Sequence, residues 1–107
     1  MTLKPKTIAD VENTYDFLLG VVSLAKAGDT HEIENGAFDY SRMILKAAEQ
    51  PLRALNMFDV TMSTINEAER FIDVEDYKGA YNVLQSGSCK LMEKSGTAEK
   101  IRQPFDS

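Results

Sequence analysis

The side chains best suited to chemistry in this sequence are a single histidine, a single cysteine and a few closely spaced carboxylates. His31 lies beside Asp29, Glu32 and Glu34, a group that could in principle hold a metal ion. A zinc site needs a second histidine or a cysteine, and a calcium loop needs alternating Asp or Asn ligands around a central glycine. The sequence near His31 has neither pattern, so we expect no metal and no cofactor, and we interpret the segment as a polar turn.

Two further groups could support catalysis. Cys89 would need a neighbouring base to become a good nucleophile, and the chain's one histidine is far away in sequence. Asp73 and Asp76 are three residues apart, but the start of a helix explains such acids equally well. We therefore expect a protein that is not an enzyme. The alternative is an all-α enzyme or phosphotransfer domain that uses His31 or the Asp73–Asp76 cluster.

Helices must position these side chains, because apolar residues recur three and four positions apart along four segments. Residues at that spacing share one face of an α-helix. The four stripes are Ile8, Val11, Tyr15, Leu18, Val22 and Ala25; Ile33, Ala37, Tyr40, Ile44 and Ala47; Leu55, Phe58, Met62, Ile65 and Ile72; and Val74, Tyr77, Tyr81, Leu84, Ser88 and Leu91. They predict an all-α fold, specifically a compact up-down four-helix bundle of antiparallel helical hairpins.

The chain is short enough to form one domain over residues 1–107. The start of the second helix is open between two alternatives. It begins near Thr30, or a loop continues to Gly36 and the helix begins at Ala37. The predicted helices cover about residues 8–27, 30–50, 51–72 and 74–94, followed by a disordered or loosely packed tail over residues 97–107.

Local signals support these boundaries. Thr7 and Asp10 have the spacing of a capping box at the start of the first helix, and Gly28 suits its end. Pro51 is tolerated in a first turn and is placed at the start of the third helix. Asp73 is expected to cap the fourth helix.

Glycines within predicted helices are a second local signal. Gly87 lies inside the fourth helix and Gly20 inside the first, and each costs about 1 kcal/mol relative to alanine. At Gly87 either the helix bends or frays, or another helix approaches closely; the second alternative is favoured because the apolar stripe continues on both sides.

The charge distribution limits the choice of partner. The net charge is −5, and residues 28–76 carry eleven acids against four bases. A nucleic-acid-binding protein needs a cationic surface, so we expect no nucleic-acid partner, and a basic protein partner would suit the acidic middle. With one cysteine and no apolar run near 20 residues, we expect a cytoplasmic protein without a membrane partner.

The first helix is more apolar than one core contact requires. Phe17, Val21 and Leu24 form a second stripe beside the first, and Phe38 and Leu45 form a shorter one on the second helix. These five residues are the candidate protein interface, which favours a homodimer. The alternative is that the first helix is central and the second stripe is internal core. The candidate acidic face consists of Glu67, Glu69, Asp73, Glu75 and Asp76.

The sequence therefore predicts a non-enzymatic protein-interaction protein, such as a small acidic adaptor, chaperone or inhibitor. It would act through the apolar patch of the first helix, the acidic face, or both. A structural subunit of a larger assembly is a further alternative.

Overall fold

In the computed structural model, residues 4–96 are described, and this range is helical without any strand. The predicted tail over residues 97–107 lies outside the described residues. The range contains six helices, not the four predicted: α1 (Ile8–Lys26), α2 (His31–Glu34), α3 (Ala37–Ala47), α4 (Glu49–Ala54), α5 (Phe58–Asp73) and α6 (Tyr77–Ser95). Within it, no helix is both long and apolar enough to cross a membrane.

The two extra helices arise because the predicted second and third helices are interrupted. Gly36 has a left-handed backbone with φ of 87°, and the main helix begins at Ala37, the later of the two predicted starts. Asn56 also has a positive φ, 58°, which ends α4 before α5 begins. Glycine and asparagine adopt this conformation at little cost, so each stops a helix that the apolar spacing alone would continue. Pro51 lies in the first turn of α4.

The start of α1 has the predicted capping box. The backbone N–H of Asp10 donates to the Thr7 hydroxyl at 3.2 Å, and the backbone N–H of Thr7 donates to the Asp10 carboxylate at 2.8 Å. The Asp10 carboxylate accepts hydrogen bonds from both the backbone N–H and the hydroxyl of Thr7, and these two bonds hold the pKa of Asp10 below its usual value. At the other end, Gly28 has φ of 103°, as expected of a residue that ends a helix.

The start of α6 differs from the prediction. Asp76, not Asp73, is the cap, and its carboxylate accepts a hydrogen bond from the backbone N–H of Gly79 at 2.9 Å. Asp73 is instead the last residue of α5. Glu75 takes a left-handed backbone with φ of 59°, so the chain turns there and α6 begins three residues later than predicted.

The core is formed where the four longer helices meet. α6 packs against both α1 and α5, and α3 also contacts α1 and α5. On α1, the predicted stripe is buried from Val11 to Ala25, which confirms its assignment to the core. The core side chains on the other helices include Phe38, Leu45, Leu52, Ile65, Ala68, Ala80, Leu84 and Leu91.

The buried face of α3 includes only part of the predicted stripe, of which Ala37 and Ile44 are buried. Tyr40 was counted in the core, but 53% of its surface is exposed, whereas Phe38, Ser41 and Leu45 are buried. Because α3 contacts α1 on one side and α5 on the other, its buried face is centred on Ser41. The polar Ser41 is accommodated because its hydroxyl donates to the Ala37 carbonyl at 2.8 Å.

Gly87 on α6 lies close to side chains of both α1 and α5. A Cβ atom there would lie 2.6 Å from a methyl carbon of Thr64 on α5 and 2.9 Å from the Tyr15 hydroxyl on α1. α6 continues through this position without interruption. Gly87 is therefore the close approach that the sequence predicts.

Candidate functional site

The five candidate interface residues separate into two groups. Val21, Phe38 and Leu45 are buried in the core of the chain, with Val21 only 3% exposed. Phe17 is 39% exposed and Leu24 is 47% exposed. α1 contacts both α3 and α6, so its buried face is wide enough to include Val21. The second stripe of α1 is thus partly internal core and partly surface.

Two exposed residues on α3 extend the surface formed by Phe17 and Leu24. The rings of Phe17 and Tyr40 meet edge to face, with centroids 6.3 Å apart and an interplanar angle of 75°. Met43 is 47% exposed and shares a face of α3 with Tyr40, three residues away. We call these four residues, Phe17, Leu24, Tyr40 and Met43, the α1–α3 patch.

Sequence reasoning missed the α3 half of this patch. Tyr40 fitted the apolar spacing and was assigned to the core, and Met43 was not singled out. The signal that could have identified them is that α3 carries two apolar stripes, one through Tyr40 and one of Phe38 and Leu45, which compete for the side that faces the core. Phe38 and Leu45 could be buried only if the helix turned Tyr40 towards solvent.

A groove of about 390 Å³ lies beside the aromatic pair. The N-terminal segment lies beside it, where the backbone N–H of Lys6 donates to the carbonyl of Ala47 at 2.9 Å. Its lining combines apolar and polar side chains: Lys6, Asp10, Asn13, Thr14, Phe17, Tyr40 and Ile44. Such a groove could receive a side chain from a partner that covers the patch.

Two of the five candidate acids have structural partners. Glu69 forms an ion pair with Arg42, whose guanidinium also donates to Asn66 at 2.9 Å and Asp39 at 3.0 Å. The bonds from Arg42 on α3 to Asn66 and Glu69 on α5 join the two helices. Asp76 is occupied as the cap of α6.

The other three candidate acids, Glu67, Asp73 and Glu75, are exposed. Within residues 4–96 none of them makes an ion pair. The acidic surface available to a partner is therefore smaller than the sequence suggests.

The remaining sequence candidates lie on the surface. His31 is exposed on the four-residue α2, with its Nε2 atom 3.0 Å from the side-chain nitrogen of Asn35. Cys89 is exposed on α6. Among the described residues, no three His, Cys, Asp or Glu side chains come together in a way that could hold a metal ion.

Among the ionisable groups of residues 4–96, Tyr15 has the largest shift in pKa. Its hydroxyl is buried and makes no hydrogen bond of good geometry within residues 4–96. Burial raises its pKa to about 12, and the nearby hydroxyls of Thr61 and Thr64 offset only part of this rise. The ring is in the core, so we interpret its effect as one on stability.

The raised pKa of Tyr15 predicts a loss of stability in alkali. An unfolded tyrosine loses its proton near pH 10, whereas the folded protein keeps it to about pH 12. The contribution of Tyr15 to the free energy of unfolding is therefore fully present below pH 10. It falls by about 1.4 kcal/mol per pH unit between about pH 10 and 12. Urea unfolding across this range should show the fall in the wild type and its absence in Tyr15→Phe. The control is Tyr40→Phe, which removes an exposed hydroxyl; if it behaves like Tyr15→Phe, the assignment is wrong.

Comparison of the whole chain with protein-family models, with curated proteins and with solved structures finds no match. The function is therefore argued from the residues and surfaces described above.

Proposed function

We propose that this chain is a non-enzymatic protein-interaction protein that associates with a second copy of itself through the α1–α3 patch. The observation that supports this most directly is the exposed aromatic pair of Phe17 and Tyr40. Aromatic side chains lose little conformational entropy when they are covered and often dominate the energy of protein interfaces.

The layout of the patch is compatible with a symmetric homodimer. Leu24 lies seven residues beyond Phe17 on α1, about 10 Å away, and Met43 lies about 4 Å beyond Tyr40 on α3. A two-fold axis at the aromatic pair would exchange the two ends of the patch. The aromatic pair of one copy would then meet the aromatic pair of the other, which is the self-complementary contact a symmetric dimer requires.

A finer description of the fold is part of this proposal. We infer an up-down four-helix bundle of α1, α3, α5 and α6, with α2 and α4 as short helices in the connections. It is supported by Lys6 bonding to Ala47, by Phe71 lying near Gly79 and by Thr64 lying near Gly87. The start of α1 thus lies near the end of α3, the end of α5 lies near the start of α6, and α5 and α6 also meet at mid-length, as in antiparallel hairpins.

The acidic surface provides a second contact in this proposal. Glu67, Asp73 and Glu75 would attract a basic partner, and the dimer would present this surface twice. A small cytoplasmic adaptor, chaperone or inhibitor fits such an arrangement. The single cysteine of the chain suits the reducing conditions of the cytoplasm.

The homodimer can be tested with Phe17→Ser. Loss of a central aromatic side chain is expected to weaken association at least about tenfold. Val60→Ser is a matched control, because Val60 is also an exposed apolar residue but lies on α5, outside the patch. Analytical ultracentrifugation should show a dimer for the wild type and Val60→Ser, and a shift towards monomer for Phe17→Ser, while circular dichroism should show the same helical content in all three.

A monomeric wild type at high concentration would contradict the homodimer. In that case, capture from an extract of the source cells with the wild type, Phe17→Ser and Val60→Ser tests the broader proposal. One protein lost with Phe17→Ser and retained with Val60→Ser would support interaction through the patch. Equal capture by all three would count against it.

A further inference from the structure

A second groove, of about 360 Å³, lies on the opposite flank of α1, where its last turns pack against the first turns of α6. It is separate from the α1–α3 patch and shares no residue with it. Side chains from both helices line it: Val22, Ser23, Lys26, Tyr77, Lys78, Tyr81 and Asn82. Its volume is near the lower end of the range for small-molecule sites.

The charge of this groove is opposite to that of the chain. Lys26 and Lys78 line it, and no carboxylate does. Each of three other grooves formed by residues 4–96 has an acid in its lining. These acids are Asp10 in the groove beside the aromatic pair, and Glu67 and Glu93 in the other two. Within residues 4–96 neither lysine forms an ion pair within 4.0 Å. The groove therefore offers two unpaired ammonium groups on a protein whose net charge is −5.

The position of Lys78 is not explained by the stability of its helix. It lies in the first turn of α6, where the helix dipole disfavours a positive charge. Lys26 lies in the last turn of α1, where the dipole favours a positive charge. A residue that opposes its local structural preference is a candidate for a role in binding.

The two tyrosines give the groove an aromatic wall. Tyr77 and Tyr81 are four residues apart and so share one side of α6. Both rings are half-buried and pack against the core, which holds them in place. The Ser23 hydroxyl donates to the Leu19 carbonyl at 2.9 Å, so it remains able to accept a hydrogen bond. The Asn82 amide adds a polar group that can both donate and accept.

We propose that this groove binds a small organic phosphate that carries an aromatic ring, with a nucleoside monophosphate as the simplest natural form. Lys26 and Lys78 would hold the phosphate, since lysine ammonium groups bind phosphate as point charges. The ring would lie against Tyr77 or Tyr81, because aromatic side chains stack on the faces of planar rings.

Isothermal titration calorimetry with four probes tests this proposal: AMP, adenosine, phenyl phosphate and inorganic phosphate. AMP is expected to bind at least about tenfold more tightly than adenosine or inorganic phosphate, each of which lacks one of the two recognised groups. Binding of phenyl phosphate comparable to that of AMP would support recognition of any ring with a phosphate. Much weaker binding of phenyl phosphate would support recognition of the nucleobase.

Variants separate a specific site from general attraction of anions. Lys78→Met is expected to weaken AMP binding at least about tenfold while leaving the melting temperature unchanged or raised, because it removes a cation from the first turn of α6. Lys90→Met is the control, since Lys90 also lies on α6 but lines two other grooves. Equal losses in both variants, or no binding of AMP by the wild type at about 1 mM, would overturn the proposal.

Discussion

Glutamate in place of Val21 is expected to unfold the protein, whereas glutamate in place of Leu24 is expected to leave the fold intact. The two residues are three positions apart on α1, and both belonged to the candidate interface. Val21 is 3% exposed and Leu24 is 47% exposed. A carboxylate at position 21 would be buried among apolar side chains, at a cost of several kcal/mol. That is comparable to the whole stability of a small domain, about 5–15 kcal/mol.

Circular dichroism and urea unfolding measure the first effect. Val21→Glu should lack a cooperative unfolding transition, whereas Leu24→Glu should unfold within about 0.5 kcal/mol of the wild type. Sedimentation of Leu24→Glu measures the second effect, because a charge in the α1–α3 patch should weaken association. A folded Val21→Glu that is merely monomeric would contradict the placement of Val21 in the core.

Leucine in place of Gly87 is expected to lower the free energy of unfolding by about 3 kcal/mol or more, whereas leucine in place of Gly20 raises it by roughly 0.5–1 kcal/mol. Both glycines lie inside helices, so helix propensity favours leucine at each position. The surroundings differ. A Cβ on Gly87 would contact Thr64 at 2.6 Å and Tyr15 at 2.9 Å, but a Cβ on Gly20 has no neighbour within 4 Å.

Urea unfolding of both variants, together with the two alanine variants, tests this difference. Gly87→Ala should fall between the wild type and Gly87→Leu, because one carbon must be accommodated and propensity offsets part of the strain. Gly20→Ala should be more stable than the wild type by about 1 kcal/mol. A stabilised Gly87→Leu would mean that α1, α5 and α6 are not as closely packed as described.

The helices could be predicted largely because apolar spacing and capping are local signals. The stripe from Val11 to Ala25 is buried, and the Thr7–Asp10 capping box forms. The break at Asn56, and the start of α6 after Glu75 instead of at Val74, could not be predicted in the same way. Each depends on one non-glycine residue adopting a positive φ, which the apolar spacing does not indicate.

The candidate surface was harder to predict, because exposure depends on which neighbours each helix has. Val21 and Leu24 are equivalent in an apolar pattern, and only the packing of α1 against both α3 and α6 separates them. Tyr40 fitted a core stripe by spacing, but the burial of Phe38 and Leu45 turns it outward. The acids Glu69 and Asp76 looked available for a partner, because their own partners, Arg42 and the start of α6, become visible only in three dimensions.

The exposure of Cys89 has a practical consequence. It is the chain's single thiol, it is exposed on α6, and it lines neither the α1–α3 patch nor any groove described above. A maleimide dye or spin label attached there would leave the α1–α3 patch and the groove lined by Lys26 and Lys78 uncovered. In a symmetric dimer each copy carries one label, so a single inter-label distance would report directly which faces of the two copies meet. The same thiol makes a reducing buffer essential, since a disulfide between two Cys89 side chains would join copies through the wrong face.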